Sequence, residues 1–153
     1  MTNPRIIVIN GPNLGMLGKR DPSHYGTGTL GDLERMISRE AARLSCEIEF
    51  IQSDSEGDII TALHSDNGAD AAILNAGAYS HYSIALRDAV ECCGFPVVEV
   101  HISNIHAREE FRRKSVISPV CCGTISGFGF HGYVLALQGC LEILKSKGRS
   151  KEK

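Results

Sequence analysis

The chain has 153 residues, 42% of them hydrophobic and 22% charged, with a formal net charge of −2. That is the size and composition of one folded domain, 1–153, and it excludes disorder, a fibrous repeat and a generally basic nucleic-acid binder. No apolar run approaches the roughly 20 residues of a membrane helix, and the opening Met1-Thr2-Asn3-Pro4-Arg5 has no signal-peptide core, so the expected compartment is the cytoplasm and no membrane partner is expected.

In chain order, Arg5–Ile9 is a continuous apolar run with β-branched residues, which predicts a strand covered on both faces. A glycine-rich stretch follows, and Gly15 to Gly28 reads as a long irregular loop, the form a lid takes in a compact domain. Thr29-Leu30-Gly31-Asp32 fits a capping box that opens a helix to about Leu44. Glu47–Ile51 alternates as a second strand. Ser55-Glu56-Gly57-Asp58 starts another helix, which ends before Gly68. Ala71–Leu74 is a third strand, and Ser83–Cys93 a helix stopped by Gly94. Pro96–Val100 is a fourth strand, Ala107–Phe111 a short helix, Val120–Ser126 a fifth strand, and Tyr133–Leu144 a closing amphipathic helix. The charged tail, about 146–153, reads as a disordered, solvated terminus. This alternation predicts an α/β fold: a flavodoxin-like three-layer sandwich with a five-stranded parallel sheet in the order 2-1-3-4-5.

The six cysteines form no C-x-x-C pattern, and two adjacent pairs, Cys92-Cys93 and Cys121-Cys122, are poorly spaced for bridges. Most sit in apolar company and read as small buried hydrophobes.

In open α/β sheets ligands bind beyond the carboxyl ends of the strands. Polar residues collect there: Asn10 and Asn13 after strand one, Gln52-Ser53-Asp54 after strand two, Asn75 after strand three, and Glu99, His101, Ser103 and Asn104 on and after strand four. Glu99 and His101 lie two apart and face one side of their strand. A carboxylate there fixes an imidazole as a proton donor, or the two make a buried ion pair; spacing leaves both open. Arg108 and Arg112, four apart on the predicted helix, would share a face that clamps an anionic or hydroxylated ligand, or a solvated face. In the lid, a guanidinium at Arg20 near Tyr25 would favour the phenolate and make a usable base; the alternative is a tyrosine that packs the loop down.

Two motifs fail. Asn13-Leu14-Gly15-Met16-Leu17-Gly18-Lys19-Arg20 lacks the first glycine and the hydroxyl residue of a phosphate loop. Gly127-Phe128-Gly129-Phe130-His131-Gly132 matches a dinucleotide fingerprint but follows the last strand, so it reads as close backbone packing. The histidines have no metal-ligand spacing.

Taken together, Ile9-Asn10-Gly11-Pro12-Asn13-Leu14, Gly18-Lys19-Arg20-Asp21-Pro22, Tyr25-Gly26, Gln52-Ser53-Asp54-Ser55-Glu56-Gly57, Ile73-Leu74-Asn75-Ala76-Gly77, Ser83-Ile84-Ala85-Leu86-Arg87-Asp88-Ala89 and the block Glu99 to Arg112 are similar to the type II 3-dehydroquinate dehydratases over nearly the whole chain. The visible departures are Gly15-Met16, where the family usually has asparagine and leucine, and Asp21 for glutamate. Glycine at 15 is expected to loosen the hinge of the lid.

The resemblance implies dehydration of 3-dehydroquinate to 3-dehydroshikimate by anti elimination through an enolate, without metal, cofactor or Schiff-base lysine. Tyr25 matches the base, Arg20 the arginine that favours its phenolate, and Asn13 the residue that holds a water against the enolate oxygen. His101 matches the acid and Glu99 its orienting partner. Asn75 and the backbone amides of Ile102 and Ser103 match the carboxylate site, and His81 and Arg112 the hydroxyl contacts. Arg108 matches a residue that orders lid and site, and Asp88 one that reaches toward a neighbouring subunit. A homododecamer, a tetramer of trimers, is implied. The rival readings are a flavodoxin-like module for a phosphate-containing ligand and a catalytically dead scaffold.

Overall fold

A computed structural model describes residues 2–151. Strands β1 (Arg5–Asn10), β2 (Glu47–Gln52), β3 (Ala71–Asn75), β4 (Val97–His101) and β5 (Gly123–Ser126) form one parallel sheet in the order β2-β1-β3-β4-β5. Helices α2 (Leu30–Arg43), α3 (Glu56–His64), α4 (Ile84–Glu91) and α5 (His131–Lys151) connect or follow the strands, and a short α1 (Pro22–Tyr25) lies in the lid.

Period-two alternation sorts the strand side chains between two cores. Ile6, Val8, Ala71, Ile73, Val98 and Val100 face Leu33 and Ile37 of α2 and Tyr133, Leu137 and Cys140 of α5. Ile7, Ile9, Ala72, Leu74 and Val97 face Ile59 and Leu63 of α3 and Leu86 and Val90 of α4. The helices begin where the sequence places their caps. Thr29 Oγ1 accepts the Asp32 N–H at 3.1 Å, and the Thr29 N–H donates to Asp32 Oδ2 at 2.9 Å. Ser55 and Ser83 cap α3 and α4 in the same way through the N–H groups of Asp58 and Leu86.

Several boundaries differ from the sequence reading. β5 starts at Gly123, because Ser118–Val120 winds into a 3-10 turn behind Pro119. The predicted helix over Ala107–Phe111 is two 3-10 turns, Ile105–Ala107 and Glu110–Arg112, separated by extended backbone at Arg108 and Glu109. Arg108 and Arg112 therefore share no helix face. The segment between Leu14 and Gly28 is only partly irregular: it holds a 3-10 turn at Leu14–Met16 and α1, whose N-cap Asp21 accepts the Ser23 N–H at 2.9 Å. The described part of the charged tail continues α5 through Lys151, with Lys145–Gly148 exposed; no proline interrupts the i→i−4 ladder there. Residues 152–153 lie outside the described residues.

All six cysteines are free. Cys46 and Cys140 are buried, as the apolar reading requires, but Cys92 and Cys122 are exposed. Cys92 caps the end of α4 and Cys122 precedes the edge strand β5, positions that face away from either core.

β1 and β3 come close enough at their carboxyl ends that a side chain on Gly11 would sit 2.8 Å from the backbone carbonyl of Ala76. The Gly11 N–H donates to Asn75 O at 2.8 Å. That close approach brings the loops after both strands to one mouth.

Candidate active site

The lid is held down by apolar anchors. Leu14 and Leu17 are buried against the α2 and α5 face of the sheet. Gly15 lies inside the first 3-10 turn, which is closed by the Met16 N–H on Asn13 O at 3.0 Å and the Leu17 N–H on Leu14 O at 3.2 Å. The nearest group that a side chain at 15 would meet is the Gln52 amide, at 3.3 Å.

The lid then presents Arg20 and Tyr25. Arg20 Nη2 donates to the Tyr25 phenol oxygen at 3.0 Å, and its guanidinium lies 3.9 Å from the ring centroid. Arg108 Nη1 donates to the same oxygen at 2.7 Å. Two charge-assisted donors on one oxygen stabilise negative charge there, and they aim the phenol as well. Arg108 belongs to the loop after β4, so it also ties lid to sheet.

On β4, Glu99 is fully buried and His101 nearly so. His101 Nε2 donates to Glu99 Oε2 at 2.9 Å. The carboxylate also accepts from Ser115 Oγ at 2.6 Å, from Ser118 Oγ and from Thr124 Oγ1 at 3.5 Å. Burial pushes the Glu99 carboxyl up, but His101, Ser115 and Ser118 together outweigh it and hold it below its ordinary value. A carboxyl depressed in this way contributes stability that is fully present above its unfolded pKa and is lost as pH falls through the folded one. Acidification below the ordinary carboxyl value of 4.5 is therefore expected to destabilise the fold, and Glu99→Gln to flatten that dependence. Urea unfolding midpoints at descending pH check this; parallel profiles for the two proteins would remove Glu99 as the cause.

The site's floor is a buried polar chain. Tyr133 of α5 donates from its hydroxyl to Asn10 Oδ1 at 2.6 Å, and Asn75 Nδ2 donates to the Tyr133 oxygen at 2.8 Å. Asn75 Oδ1 accepts the Gly77 N–H at 3.1 Å. This fixes the Asn75 amide and leaves its second N–H for a ligand. Burial holds the Tyr133 phenol far above its ordinary value, so it serves as a neutral donor. Tyr133→Phe strands two buried polar groups and is expected to cost about 1–3 kcal/mol, read from urea unfolding; an unchanged midpoint would show that the chain carries no stability.

His81, in the 3-10 turn Gly77–His81, donates from Nδ1 to Lys114 O at 2.8 Å and stacks on His101 at 6.0 Å. Burial is the main cause that pushes its pKa down, so it is neutral near pH 7 with Nε2 free to accept. Asn13 adopts φ 66°, with its N–H on Asp54 Oδ1 at 2.9 Å.

A cavity of about 90 Å³ collects these groups: Asn13, Arg20, Tyr25, Asn75, His81, His101, Ile102, Ser103, Arg108 and Arg112 all line it. Arg112 is also paired with Glu109 and lies over the Phe111 ring. Glu99 stands behind His101. Asp88 does not join them; it is exposed on α4. Among the described residues no group of three or more His, Cys, Asp or Glu is placed to hold a metal ion. Gly127 has φ 95°, and a side chain there would press on Asn104 at 3.2 Å, which is close packing; a side chain at Gly129 would meet nothing within 4 Å, and there the φ of 61° is what favours glycine.

Residues 4–141 match the family described as Dehydroquinase class II. The chain belongs to that family. The 3-dehydroquinate dehydratase of Bacillus licheniformis is 56% identical over 135 residues, which cover 88% of this chain and 93% of that one. Among solved structures, the type II dehydroquinase of Propionibacterium acnes superposes with a TM-score of 0.85 at 45% identity, covering 90% of this chain and 95% of that one. That of Butyrivibrio crossotus gives 0.87 at 42%, covering 94% and 98%.

Within this class II dehydroquinase, four residues of the site escape a reading by motif. Tyr133 looks like one more apolar position of an amphipathic helix, and only its register beneath Asn10 and Asn75 gives it a polar role. Ser115, Ser118 and Thr124 look like ordinary loop and edge-strand residues. The signal that points to them is indirect: a carboxylate at the middle of a buried parallel strand, as Glu99 is, needs donors from somewhere.

Proposed function

We propose that the protein is a 3-dehydroquinate dehydratase, which removes water from 3-dehydroquinate to give 3-dehydroshikimate in the third step of the shikimate pathway. The observation that carries this reading is the Tyr25 oxygen, bonded by Arg20 and Arg108, on the same cavity as the His101–Glu99 pair. Such a cavity can offer a phenol oxygen, supported by two guanidinium donors, as base on the lid and an oriented imidazole as acid on the sheet. A ring held between them receives base and acid from different sides, which is the requirement of anti elimination.

Tyr25, as phenolate, takes the proton alpha to the ketone and becomes a phenol. The electron pair of that C–H bond moves onto the ketone oxygen as an enolate, against which Asn13 holds a water. The enolate then reforms the ketone, the new carbon–carbon double bond forms, and the ring hydroxyl leaves with a proton from His101 as water. Glu99 balances the imidazolium before that transfer. Asn75 and the backbone amides of Ile102 and Ser103 take the carboxylate, and His81 and Arg112 take the ring hydroxyls. Buried donors and acceptors left unpaired by the wrong ligand supply the selectivity.

The chain acts as one catalytic domain with its lid at about 15–28, in a homododecamer built as a tetramer of trimers, in the cytoplasm. Asp88, exposed on α4 and outside its own cavity, is available to a neighbouring subunit's site.

The test is to mix purified protein with 3-dehydroquinate and follow the ultraviolet absorbance of the conjugated enone, with a borohydride-treated sample in parallel. Rising absorbance that borohydride does not stop is expected, since no imine forms. Folded protein that gives no absorbance change would overturn the reading and favour a ligand-binding module.

A further inference from the structure

One short segment, Lys114–Ser118, reaches both cavity histidines: His81 directly and His101 through Glu99. The Lys114 carbonyl accepts from His81 Nδ1 at 2.8 Å. Ser115 Oγ donates to Glu99 Oε2 at 2.6 Å, and Ser118 Oγ donates to Glu99 Oε1. The segment is itself fastened at several points. The Val116 N–H donates to Ser80 O at 2.7 Å, Arg87 Nη1 donates to Val116 O at 2.9 Å, the Ser118 N–H donates to Ser115 Oγ at 3.2 Å, and Ile117 is fully buried.

We propose that Lys114–Ser118 is a positioning strap for proton transfer: the Ser115 and Ser118 hydroxyls hold the Glu99 carboxylate aimed at His101, while the Lys114 carbonyl holds His81 with Nε2 as an acceptor. The inference rests on the dehydratase reading for its kinetic consequences.

The donor arithmetic favours it. His101 and Ser115 converge on Oε2, and Ser118 and Thr124 converge on Oε1. A carboxylate has only acceptor sites and satisfies all four; a protonated acid would turn its own O–H against one of them. No Lys or Arg among the described residues bonds Glu99. The titratable groups that face it are His101, His81 and Cys121, and Arg112 faces His81. Burial first, and the Glu99 charge after it, push the Cys121 thiol up to about 12, so it stays neutral. His101 is then the one basic side chain in contact with Glu99, and the neutral serines supply the rest of the support. Without them the carboxyl takes up a proton at higher pH, and His101 loses its partner.

The experiment compares wild type, Ser115→Ala/Ser118→Ala and Ser118→Thr, which keeps the hydroxyl. It reads kcat and KM for 3-dehydroquinate across pH, with the Glu99 carboxyl-carbon NMR signal (assigned by its loss in Glu99→Gln) as a second readout. The expected result for the double variant is a kcat about tenfold lower, with KM within about twofold. Its Glu99 titration moves to higher pH, and Ser118→Thr follows wild type. A purely structural role would leave the Glu99 titration in place. Coincident Glu99 titrations in wild type and the double variant, or a threonine variant no better than the double variant, would overturn the serine role. Should the double variant not fold, Ser118→Ala alone is read the same way. Imidazole-nitrogen NMR is expected to find the His81 proton on Nδ1; finding it on Nε2 overturns the Lys114 role. If wild type itself does not turn over, the dehydratase reading fails separately, and the two NMR readouts still decide the strap.

Discussion

Tyr25→Phe is expected to lower kcat by about three orders of magnitude or more, with little change in unfolding midpoint. The phenol oxygen is the point at which Arg20 and Arg108 converge, at 3.0 and 2.7 Å, and a phenyl ring cannot accept a proton. The ring stays beneath the Arg20 guanidinium, so packing is largely kept. The proof is in the pairing of measurements: kcat and KM for 3-dehydroquinate, and urea unfolding of the same preparation. Turnover within tenfold of wild type would take the base role away from Tyr25. A lost kcat accompanied by a much lower midpoint would instead make the residue a fastener of the lid.

His101→Ala is expected to have a comparable effect by the other half of the reaction, a fall of about two to four orders of magnitude in kcat. Here the physical loss is double. The departing hydroxyl loses its proton source, and Glu99, buried with its three hydroxyl donors, loses its imidazole partner. An uncompensated buried charge is costly, so the variant is also expected to be less stable at neutral pH. Lowering the pH should restore part of that stability, because protonating Glu99 removes the charge. An unchanged kcat would assign the acid to another group, and an unchanged midpoint would show that the serines suffice for Glu99.

The order of the first four strands is legible because each is short and separated from the next by a capped helix, whereas only 3-10 turns lie between β4 and β5. Thr29, Ser55 and Ser83 mark the starts of α2, α3 and α4 by side chains whose caps form as read. The Glu99–His101 pair was legible for the same local reason, since a spacing of two on a strand fixes a common face. What stayed hidden depends on distance along the chain. Arg108 meets Tyr25 only because the lid folds back over the loop after β4, and no spacing rule connects positions so far apart. The stretch from Ala107 to Phe111 has helical spacing, yet extended backbone at Arg108 and Glu109 breaks it, because Arg108 must turn inward to the phenol. Likewise α1 is too short to show a period; Asp21 and Ser23 make it by a local side-chain turn.

Tyr133 ties the order of synthesis to the completion of the site. The cavity-lining residues all lie between positions 12 and 112, so a ribosome has made every one of them before it reaches α5. Yet Asn10 and Asn75 are held by a hydroxyl on α5, which emerges after all of them. A nascent chain stalled before residue 131 carries the full catalytic vocabulary and no floor to set it on. Turnover should therefore appear late and abruptly during translation, when α5 docks, rather than grow as the active-site residues are added.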